Sequence, residues 1–314
     1  MAMEERLQNR ILRKKKALDS LRPINKGALV KLQETFRIDL TYNSNAIEGN
    51  SLSLSETKII LEEGLTIGGK SMKEHLEATN HSQAINMVDS LVHKKTITEL
   101  DVLNLHAIIL DRIDPNNAGF YRHGAVRISG TTYSPPNPAK VPELMKEVYA
   151  LLNTRGEPIE IAAQAHQRFV DIHPFIDGNG RTARLLLNLY LMRSGYPPVI
   201  ILRAERVQYI RAIMQSRSEN DILPFANFVA RALERSLDIY INTLGDMPEE
   251  YMTLAEASRQ SKNNYSAEYL GLLARRGLIG AVKFGRNWVL TMKELNEYEE
   301  EHKKKQQTNY RKSA

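Results

Sequence analysis

The sequence has 314 residues, of which 42% are hydrophobic and 25% charged, so it is an ordinary globular chain longer than one compact domain usually needs. Because it contains no cysteine, it excludes disulfides, thiolate metal sites and cysteine nucleophiles. The formal net charge of +6 allows an acidic partner such as nucleic acid, although charge runs are more often solvated faces.

The N-terminal segment is basic and has no apolar core of the kind that a signal peptide contains. Its most basic stretch runs from Arg13 to Lys16, and a second run, Lys303 to Lys305, lies near the C-terminus. No stretch reaches the roughly 18 apolar residues of a membrane span. We expect a cytoplasmic protein without a membrane partner, and we interpret both runs as solvated, with nucleic-acid contact as the alternative.

Apolar residues at three- and four-residue spacing predict amphipathic helices in the first third of the chain. These helices cover Leu29–Tyr42, Ile85–Val92 and Val102–Leu110. Between Gly119 and Pro138 the pattern changes, because Val126 and Ile128 alternate with polar neighbours such as Arg127. The turn-forming residues 130–132 follow, so this segment predicts a short β-hairpin.

Helical periodicity resumes after the hairpin and continues almost to residue 245. The predicted helices are Val141–Leu152, Ile161–Asp171, Arg181–Met192, Ala204–Met214 and Pro224–Leu244. The third of these is apolar nearly all round, which predicts a buried central helix. The main domain is therefore expected to be mainly α, with one β-hairpin.

A different pattern begins after residue 248. Two short helices, Leu254–Arg259 and Ala267–Arg275, precede two short strands, Ile279–Phe284 and Trp288–Leu290, and a charged helix from Lys293 onward. A helix, a turn, a second helix and a two-stranded wing form a winged-helix layout. We predict a small C-terminal α+β domain of this kind.

The chemistry is concentrated in a glycine-rich loop before the central helix. Glycines at 178 and 180 around Asn179 let backbone N–H groups converge on an anion at the electropositive helix N-terminus. Arg181 and Arg184, three residues apart, can both reach phosphate oxygens, and Asn188 continues the same helix face. The loop therefore predicts binding of a nucleotide phosphate by Gly178, Asn179, Gly180, Arg181, Arg184 and Asn188.

Two further residues of this loop suggest group transfer. Asp177 offers the hard oxygen ligand that Mg²⁺ takes together with phosphate oxygens and water. His173 carries an imidazole that is largely neutral at pH 7 and can accept a proton from an attacking hydroxyl. A base, a metal ligand, an anion site and two cations within twelve residues indicate phosphoryl-transfer chemistry.

The segment from His173 to Arg184 matches every fixed position of the Fic-domain signature, H-x-F-x-D/E-G-N-G-R-x-x-R. The chain resembles Fic adenylyltransferases over roughly residues 101–244, including the upstream segment 119–122, the hairpin, which resembles the Fic flap, and the downstream segment 221–225. The resemblance implies that His173 deprotonates a target hydroxyl, which attacks the α-phosphate of ATP. It also implies that Asp177 binds Mg²⁺, that Phe175 anchors the loop, and that the flap residues Val126, Arg127 and Ile128 align the target segment as an added strand.

A second motif lies ahead of this region. The segment from Ser44 to Asn50 resembles the inhibitory motif S/T-x-x-x-E-G/N of Fic proteins, with Ser44, Glu48 and Gly49 at its fixed positions. The resemblance implies that Glu48 pairs with Arg184 and denies it to the γ-phosphate of ATP. Activity at rest is then expected to be low.

The predicted organisation has four parts. A helical region over residues 1–100 carries the inhibitory motif, a Fic catalytic core covers 101–246, a winged-helix domain covers 247–300, and a charged tail covers 301–314. The winged helix resembles modules attached to Fic domains, and its partner is either DNA or another protein. We also expect a target protein with an accessible hydroxyl as a partner, and we include a homodimer among the expected assemblies.

Two classes of function remain at the level of the sequence. The first is an enzyme that transfers AMP to a Tyr, Thr or Ser hydroxyl of a target protein and to itself, with ATP as substrate and Mg²⁺ as cofactor. The second is a DNA-binding regulator whose Fic domain senses nucleotide. The same site also suits transfer of UMP or phosphate, or removal of AMP, and the sequence does not separate these reactions or identify the target.

Overall fold

The computed structural model describes residues 4–21, 26–128, 133–244, 251–284 and 287–300. The chain forms two compact units, one made of residues 33–232 and the other of residues 1–32 together with 233–314. The predicted boundaries near residues 100 and 246 differ from this division, and the four-part organisation stays a prediction. None of the helices in the described ranges is long and apolar enough to cross a membrane.

The helices outnumber the strands in the described part of the chain, in agreement with the mainly α fold class. In chain order they are α1 (Glu5–Ser20), α2 (Lys26–Ile47), α3 (Leu54–Glu63), α4 (Met72–Leu91), α5 (Glu99–Ile109), α6 (Val141–Asn153), α7 (Pro158–Ile172), α8 (Asn179–Arg193), α9 (Arg206–Glu219), α10 (Leu223–Leu244), α11 (Leu254–Gln260), α12 (Ala267–Arg275) and α13 (292–300). Short 3₁₀ turns at Pro138–Lys140 and Arg203–Glu205 precede α6 and α9.

Helix α8 lies at the centre of the larger unit. Every residue from Arg181 to Leu191 is buried, and the helix packs against α4, α5 and α7. The prediction of a helix buried nearly all round is confirmed, because a helix without a polar face gains most when neighbours cover it on every side. Its N-terminus, which carries the predicted phosphate site, is thereby held by the core.

Helices α2 and α4 extend beyond their predicted bounds, and both extensions are polar. Buried Asn43 and Ser44 lie in the last turns of α2, and buried Asn80 and His81 lie in the middle of α4. Apolar periodicity does not reveal these segments, because their buried faces carry side chains that form hydrogen bonds. Asn80, for example, donates to the carbonyl of Asp111 over 2.7 Å.

The segment predicted as a hairpin is only partly described. Its turn, residues 129–132, lies outside the described residues, and the arms 121–128 and 133–137 have no regular strand assignment. Val126 and Ile128 are nevertheless half-buried and Arg127 is exposed, as the alternating pattern predicts. The pairing of the two arms into a hairpin therefore stays a prediction, whereas the predicted alternation of half-buried and exposed side chains is present.

The smaller unit contains a three-stranded antiparallel sheet in the order β1-β3-β2. Its strands are β1 (Tyr251–Thr253), β2 (Val282–Phe284) and β3 (Asn287–Thr291). The sheet packs with α11 and α12 around a core that includes Leu270, Leu273 and Leu290. The order of helices and strands agrees with the winged-helix layout, and β1 is an addition that was too short to predict. The predicted wing tip, residues 285–287, lies mostly outside the described residues.

The basic run of α1 is only partly a solvated face, which corrects that interpretation, because Lys16 is exposed but Lys14 and Lys15 pair with acidic side chains. Lys14 is only 3% exposed, and its ammonium lies 2.9 Å from Glu234 and 2.8 Å from Asp238. Arg10 contacts Glu234 over 2.7 Å, and Lys15 pairs with Asp19. The charges of this run are mostly matched by acidic side chains of the same unit, a pairing between distant segments that the local charge pattern does not indicate.

Candidate active site

The predicted phosphate loop joins two buried helices of the larger unit. Helix α7 ends at Ile172 and is followed by His173, whose backbone is left-handed with φ 51° and ψ 61°, and α8 begins after Gly178, with φ 77°. A left-handed conformation is unfavourable for a residue other than glycine and persists only where the surroundings hold it. Both ends of the loop are therefore held in a left-handed backbone conformation by the surrounding structure.

Arg122 holds the end of this loop that contains His173. Its guanidinium is buried and donates to the carbonyl of His173 over 2.7 Å, and its backbone N–H donates to the carbonyl of Pro174 over 2.9 Å. The same guanidinium donates to the carbonyls of Gly124 and Pro136, in the two arms of the flap segment. Arg122 therefore joins the flap segment to the loop, a role for which the sequence offers no signal beyond its place in the motif.

His106 of α5 supports the middle of the loop. Its ring stacks on Phe175 with centroids 3.5 Å apart, and Phe175 is fully buried, as predicted for the loop anchor. Nδ1 of His106 accepts a hydrogen bond from the N–H of Gly119 over 3.0 Å, so the proton lies on Nε2, which donates to the carbonyl of Asp177 over 2.9 Å. Sequence reasoning missed this residue, since a histidine in an apolar helix has no distinctive neighbours.

The side chain of Asn179 closes the loop from within. Its amide donates to the carbonyl of Phe175 and accepts from the N–H of Phe175, each over 2.9 Å, and the residue is 3% exposed. The side chain is thus unable to contact a ligand. The first N–H groups of a helix have no partner within the helix, so the backbone of Asn179, Gly180 and Arg181 provides the donors for an anion at this terminus.

A carboxylate already lies at this helix terminus. A Cβ atom at Gly180 would collide with Oε1 of Glu48, which shows how closely the Glu48 carboxylate approaches the backbone of the first helical turn. Oε1 also lies 2.8 Å from Nη2 of Arg184. Glu48 therefore occupies the position where the sequence predicts an anionic ligand, and glycine at 180 makes room for it.

Ser44 fixes the arginine that Glu48 contacts. Nε of Arg184 donates to Oγ of Ser44 over 3.0 Å, and Nη2 donates to its carbonyl over 2.8 Å. Both residues are buried, whereas the Glu48 side chain retains 40% of its exposure. Gly49, with φ 103°, lets the chain turn directly after Glu48. The predicted regulatory residues thus lie together at the end of α2.

Arg181 is buried without a full set of hydrogen-bond acceptors. Only 2% of its side chain is exposed, and it lies 3.3 Å from Glu77 and 3.4 Å from Asp177. Its Nε and Nη1 make no hydrogen bond, because the contact with Glu77 has the distance of an ion pair but not the direction of a hydrogen bond. Unused donors on a buried guanidinium are rare and indicate room for an anion.

Glu77 of α4 is a second acid that the sequence analysis missed. Besides its contact with Arg181, its carboxylate accepts a hydrogen bond from the amide of Asn50 over 2.9 Å. The carbonyl of Glu77 accepts from the amide of Asn45 over 3.0 Å. Two acids thus face the two arginines of the loop, Glu48 against Arg184 and Glu77 against Arg181.

The arrangement around Asp177 fits a magnesium ion. Its side chain is half-exposed at the mouth of the loop, and Oδ1 accepts from the N–H of Gly178 over 2.6 Å, which orients the carboxylate. Mg²⁺ is usually held by one or two carboxylates together with substrate phosphates and water, so one acid suffices when a nucleotide is bound. Within the described ranges no three acidic or histidine side chains converge into a metal site made of protein alone.

Asn188 does not belong to this site, which corrects its assignment to nucleotide binding. Its amide donates to the carbonyl of Val199 over 3.1 Å and accepts from the N–H of Val199 over 2.7 Å. The residue is buried one turn beyond Arg184. The backbone of Val199 thus uses both polar atoms of the Asn188 amide.

His173 is placed to act as a base. Burial lowers the pKa of its imidazole from the ordinary value of 6.5, so the ring is neutral at pH 7. Nδ1 lies 3.3 Å from the carbonyl of Val170, a contact that favours the proton on Nδ1. The lone pair of Nε2 is then available to accept a proton from a substrate hydroxyl.

We expect acid to unfold the larger unit through three buried histidines. Burial lowers the pKa of His81 to about 3, of His106 to about 4 and of His166 to about 3, from the ordinary 6.5. The unfolded chain therefore binds protons that the folded chain excludes. Stability is complete above about pH 6.5 and falls as the pH drops toward 4.

Thermal unfolding followed by circular dichroism between pH 7.5 and pH 4 measures this effect. The melting temperature is expected to fall steeply below pH 6.5, and substitution of exposed His93 with Gln is the control that leaves the profile unchanged. A flat profile down to pH 4.5 would contradict the buried neutral state of these rings.

A family model described as the Fic/DOC family matches residues 96–191, which include the loop and most of α8. The protein adenylyltransferase Fic of Drosophila melanogaster is 37% identical over 265 residues, which cover 83% of this chain and 53% of that protein. This chain thus spans about half the length of the curated relatives that it matches.

Two solved structures resemble the chain in fold and sequence. A Fic domain containing signaling protein from Bacteroides thetaiotaomicron has a TM-score of 0.70 at 32% identity, with 74% of this chain and 96% of that chain covered. Fic-1 from C. elegans has a TM-score of 0.68 at 36% identity, with 75% of this chain and 72% of that chain covered. The similarity covers nearly the whole of the bacterial protein.

Proposed function

Because the chain belongs to the Fic/DOC family, we propose that it transfers AMP from ATP to a hydroxyl group of a target protein. The observation that carries the proposal is the junction of α7 and α8, which brings a neutral histidine, a helix N-terminus and two buried arginines to one loop. The names of the Drosophila relatives, protein adenylyltransferases, support the same reaction.

The proposed chemical step begins at His173. Its Nε2 accepts the proton of the target hydroxyl while the hydroxyl oxygen forms a bond to the α-phosphorus of ATP. The bond between the α-phosphorus and the bridging oxygen breaks, and pyrophosphate leaves with the electron pair of that bond. The products are an AMP ester on the target and a protonated His173, which returns its proton to water.

The backbone at the start of α8 and the two arginines hold the phosphates. N–H groups of a helix terminus bind phosphate oxygens without reorganisation, and Arg181 has buried donors that lack acceptors. Arg184 would contact the terminal phosphate after releasing Glu48. A magnesium ion at Asp177 would neutralise part of the phosphate charge when nucleotide is bound.

Glu48 competes with the nucleotide for the same donors. Its carboxylate lies against Gly180 and Arg184, where the terminal phosphate needs to bind. ATP that enters with Glu48 in place loses one guanidinium contact, so its α-phosphate is held away from the line of attack. Autoinhibition of this kind also explains why Ser44 is buried beside Arg184, since Ser44 keeps the arginine in reach of Glu48.

Glu77 is expected to reinforce this inhibition more weakly. The substitution Glu77→Gln removes one of the two carboxylates beside Arg181 and leaves an oxygen for Asn50, so that only the 3.4 Å contact with Asp177 competes with phosphate for this guanidinium. We expect AMP incorporation to rise about fivefold, the low end of coupling between sites. Labelled ATP and purified protein measure it, and the double variant with Glu48→Gly tests additivity. An unchanged rate would limit Glu77 to a structural role.

The flap segment is proposed to align the target. Half-buried Val126 and Ile128 with exposed Arg127 between them match the alternation of a strand that pairs with an extended peptide. Arg122 joins this segment to the carbonyl of His173, so a target strand bound to the flap would be held in register with the base.

Mass spectrometry identifies the reaction and its acceptor. Purified protein carrying Glu48→Gly is incubated with Mg²⁺ and ATP or UTP, and the mass added to the protein itself is measured. A gain equal to AMP, on Tyr, Thr or Ser, is the expected result. A gain equal to phosphate or UMP would replace the proposed reaction by one of the alternatives of the same site.

A further inference from the structure

The smaller unit contains arginine side chains that have no close acidic partner among the described residues. In α1, Arg10, Lys14 and Lys15 contact acidic side chains within 3 Å. Arg6 of α1 and Arg276 at the end of α12 have no acidic partner among the described residues of the chain. Arg13 has a loose one, since its Nε lies 3.8 Å from Glu294.

These three arginines converge on one groove. The groove has a volume of about 410 Å³ and lies between α1 and the C-terminal end of α12, with a floor of leucines and the aromatic rings of Tyr269 and Tyr298. Its polar lining consists of Arg6, Asn9, Arg13, Arg276 and the two tyrosines. A volume of this size falls within the range of small-molecule pockets, which is about 300 to 1,000 Å³.

Helix α1 packs closely against the two glycines that follow α12. A Cβ atom at Gly277 would lie 2.6 Å from Nη1 of Arg10, and one at Gly280 would lie 2.6 Å from Cζ of Arg13. Any larger residue at either position would displace these arginines. The two glycines therefore let the side chains of α1 lie directly against the chain that follows α12.

The arginine and tyrosine side chains that line the groove suit a phosphate ester better than an acidic peptide. Guanidinium groups form forked hydrogen bonds with phosphate, and Arg6 and Arg13 lie about 10 Å apart along α1, the length of a small ligand and not of an extended peptide. The rings of Tyr269 and Tyr298, whose hydroxyls are 3.3 Å apart, offer apolar surface and hydrogen bonds for the remainder of such a ligand.

We propose that the groove between α1 and α12 binds a small phosphate ester of mononucleotide size. Three guanidinium groups, of which two lack acidic partners in the described part of the chain, would hold the phosphate and the other polar atoms of the ligand, and the two tyrosines would contact its ring. The site is made only of residues of the smaller unit and contains none of the residues around His173. It does not depend on the proposed transfer of AMP.

Calorimetry of the full chain with 5′-AMP tests the site through paired variants. Arg276→Gln removes a groove cation, and Arg275→Gln removes the same charge from the adjacent residue, which does not line the groove. We expect Arg276→Gln, and likewise Arg6→Gln, to weaken one binding event at least tenfold. Arg275→Gln is expected to bind as wild type. All three positions are exposed, so the melting temperatures should stay equal.

The only tryptophan of the chain gives a second readout. Trp288 packs against the same core as Tyr269 and Tyr298, so its fluorescence reports on this unit alone. Emission is expected to change on AMP addition in wild type and Arg275→Gln, and not in Arg276→Gln. Inorganic pyrophosphate, which has no ring, should bind more weakly than AMP, and equal affinity would overturn the role of the tyrosines.

Three results would overturn the proposal. The first is equal AMP affinity of Arg276→Gln and Arg275→Gln. The second is binding of a poly-glutamate peptide, but not of AMP, that is lost in Arg276→Gln. The third is that the protein binds duplex DNA in a salt-sensitive way but does not bind AMP, and that Arg276→Gln and Arg275→Gln weaken DNA binding equally. This result would assign the surface to the phosphates of nucleic acid.

Discussion

Replacement of Glu48 by glycine is expected to raise the rate of AMP incorporation from ATP by one to two orders of magnitude, the range of coupling between linked sites. The substitution removes the carboxylate that lies on Gly180 and frees Nη2 of Arg184 for the terminal phosphate. Because the Glu48 side chain is 40% exposed, its contact with Arg184 is weaker than a fully buried ion pair. ATP phosphate therefore competes with Glu48 for Arg184 in the wild type and binds this arginine without competition in Glu48→Gly.

The measurement uses purified protein, Mg²⁺ and labelled ATP, with label counted in the chain itself and in lysate proteins. Glu48→Gln separates charge from size, and it should also activate, because a neutral amide oxygen is a weaker acceptor for a guanidinium than phosphate is. Glu62→Gln on an exposed face of α3 removes the same charge far from the loop and serves as the control. Equal rates in wild type and Glu48→Gly would contradict autoinhibition.

Replacement of His173 by alanine is expected to reduce incorporation by about two to four orders of magnitude, the usual contribution of a general base. The effect follows from the neutral imidazole and the direction of its Nδ1 toward Val170, which leaves Nε2 as the proton acceptor. The loop should persist, since Arg122 bonds to the backbone of residue 173 and not to its side chain. Nucleotide binding should therefore be retained.

This comparison is made in protein that also carries Glu48→Gly. The inhibited wild type is expected to react so slowly that a further decrease in its rate would be hard to measure. The double variant Glu48→Gly with His173→Ala is compared with Glu48→Gly and exposed His93→Ala. ATP affinity measured by calorimetry should be the same in both. An undiminished rate of incorporation would remove His173 from the proposed role, and a lost ATP affinity would assign it to binding.

The loop could be predicted from sequence because its parts are close together in the chain. The spacing of Arg181 and Arg184 follows from the geometry of the helix, and glycine at 178 is required by the left-handed backbone there. The role of Phe175 as the loop anchor was implied by the resemblance to the Fic signature, and the side chain is fully buried. Helix geometry gave the wrong role for Asn188. The spacing of residues on a helix predicts the direction of a side chain, but not which neighbouring segment forms hydrogen bonds with it.

Residues that act through distant contacts were harder to predict. Glu77 lies in the middle of a polar stretch of α4, and nothing in its neighbourhood distinguishes it from a solvated acid until the fold places it beside Arg181. His106 and Arg122 likewise hold the loop from α5 and from the flap segment. Their partners are backbone carbonyls, which every residue possesses, so no pattern of side chains reveals the pairing.

The sequence by itself determined the helical periods, the order of elements in the C-terminal domain and the chemistry of the loop from His173 to Arg184, because these depend on residues within a few turns of one another. The resemblance of the segment from Ser44 to Asn50 implied the pairing of Glu48 with Arg184, which the fold brings together across 136 residues. Only the tertiary structure decided that Glu77 lies beside Arg181 and that Lys14, in the basic run of α1, pairs with Glu234 and Asp238. Such pairs form where packed helices bring charges out of water, and local spacing carries no information about which charges meet.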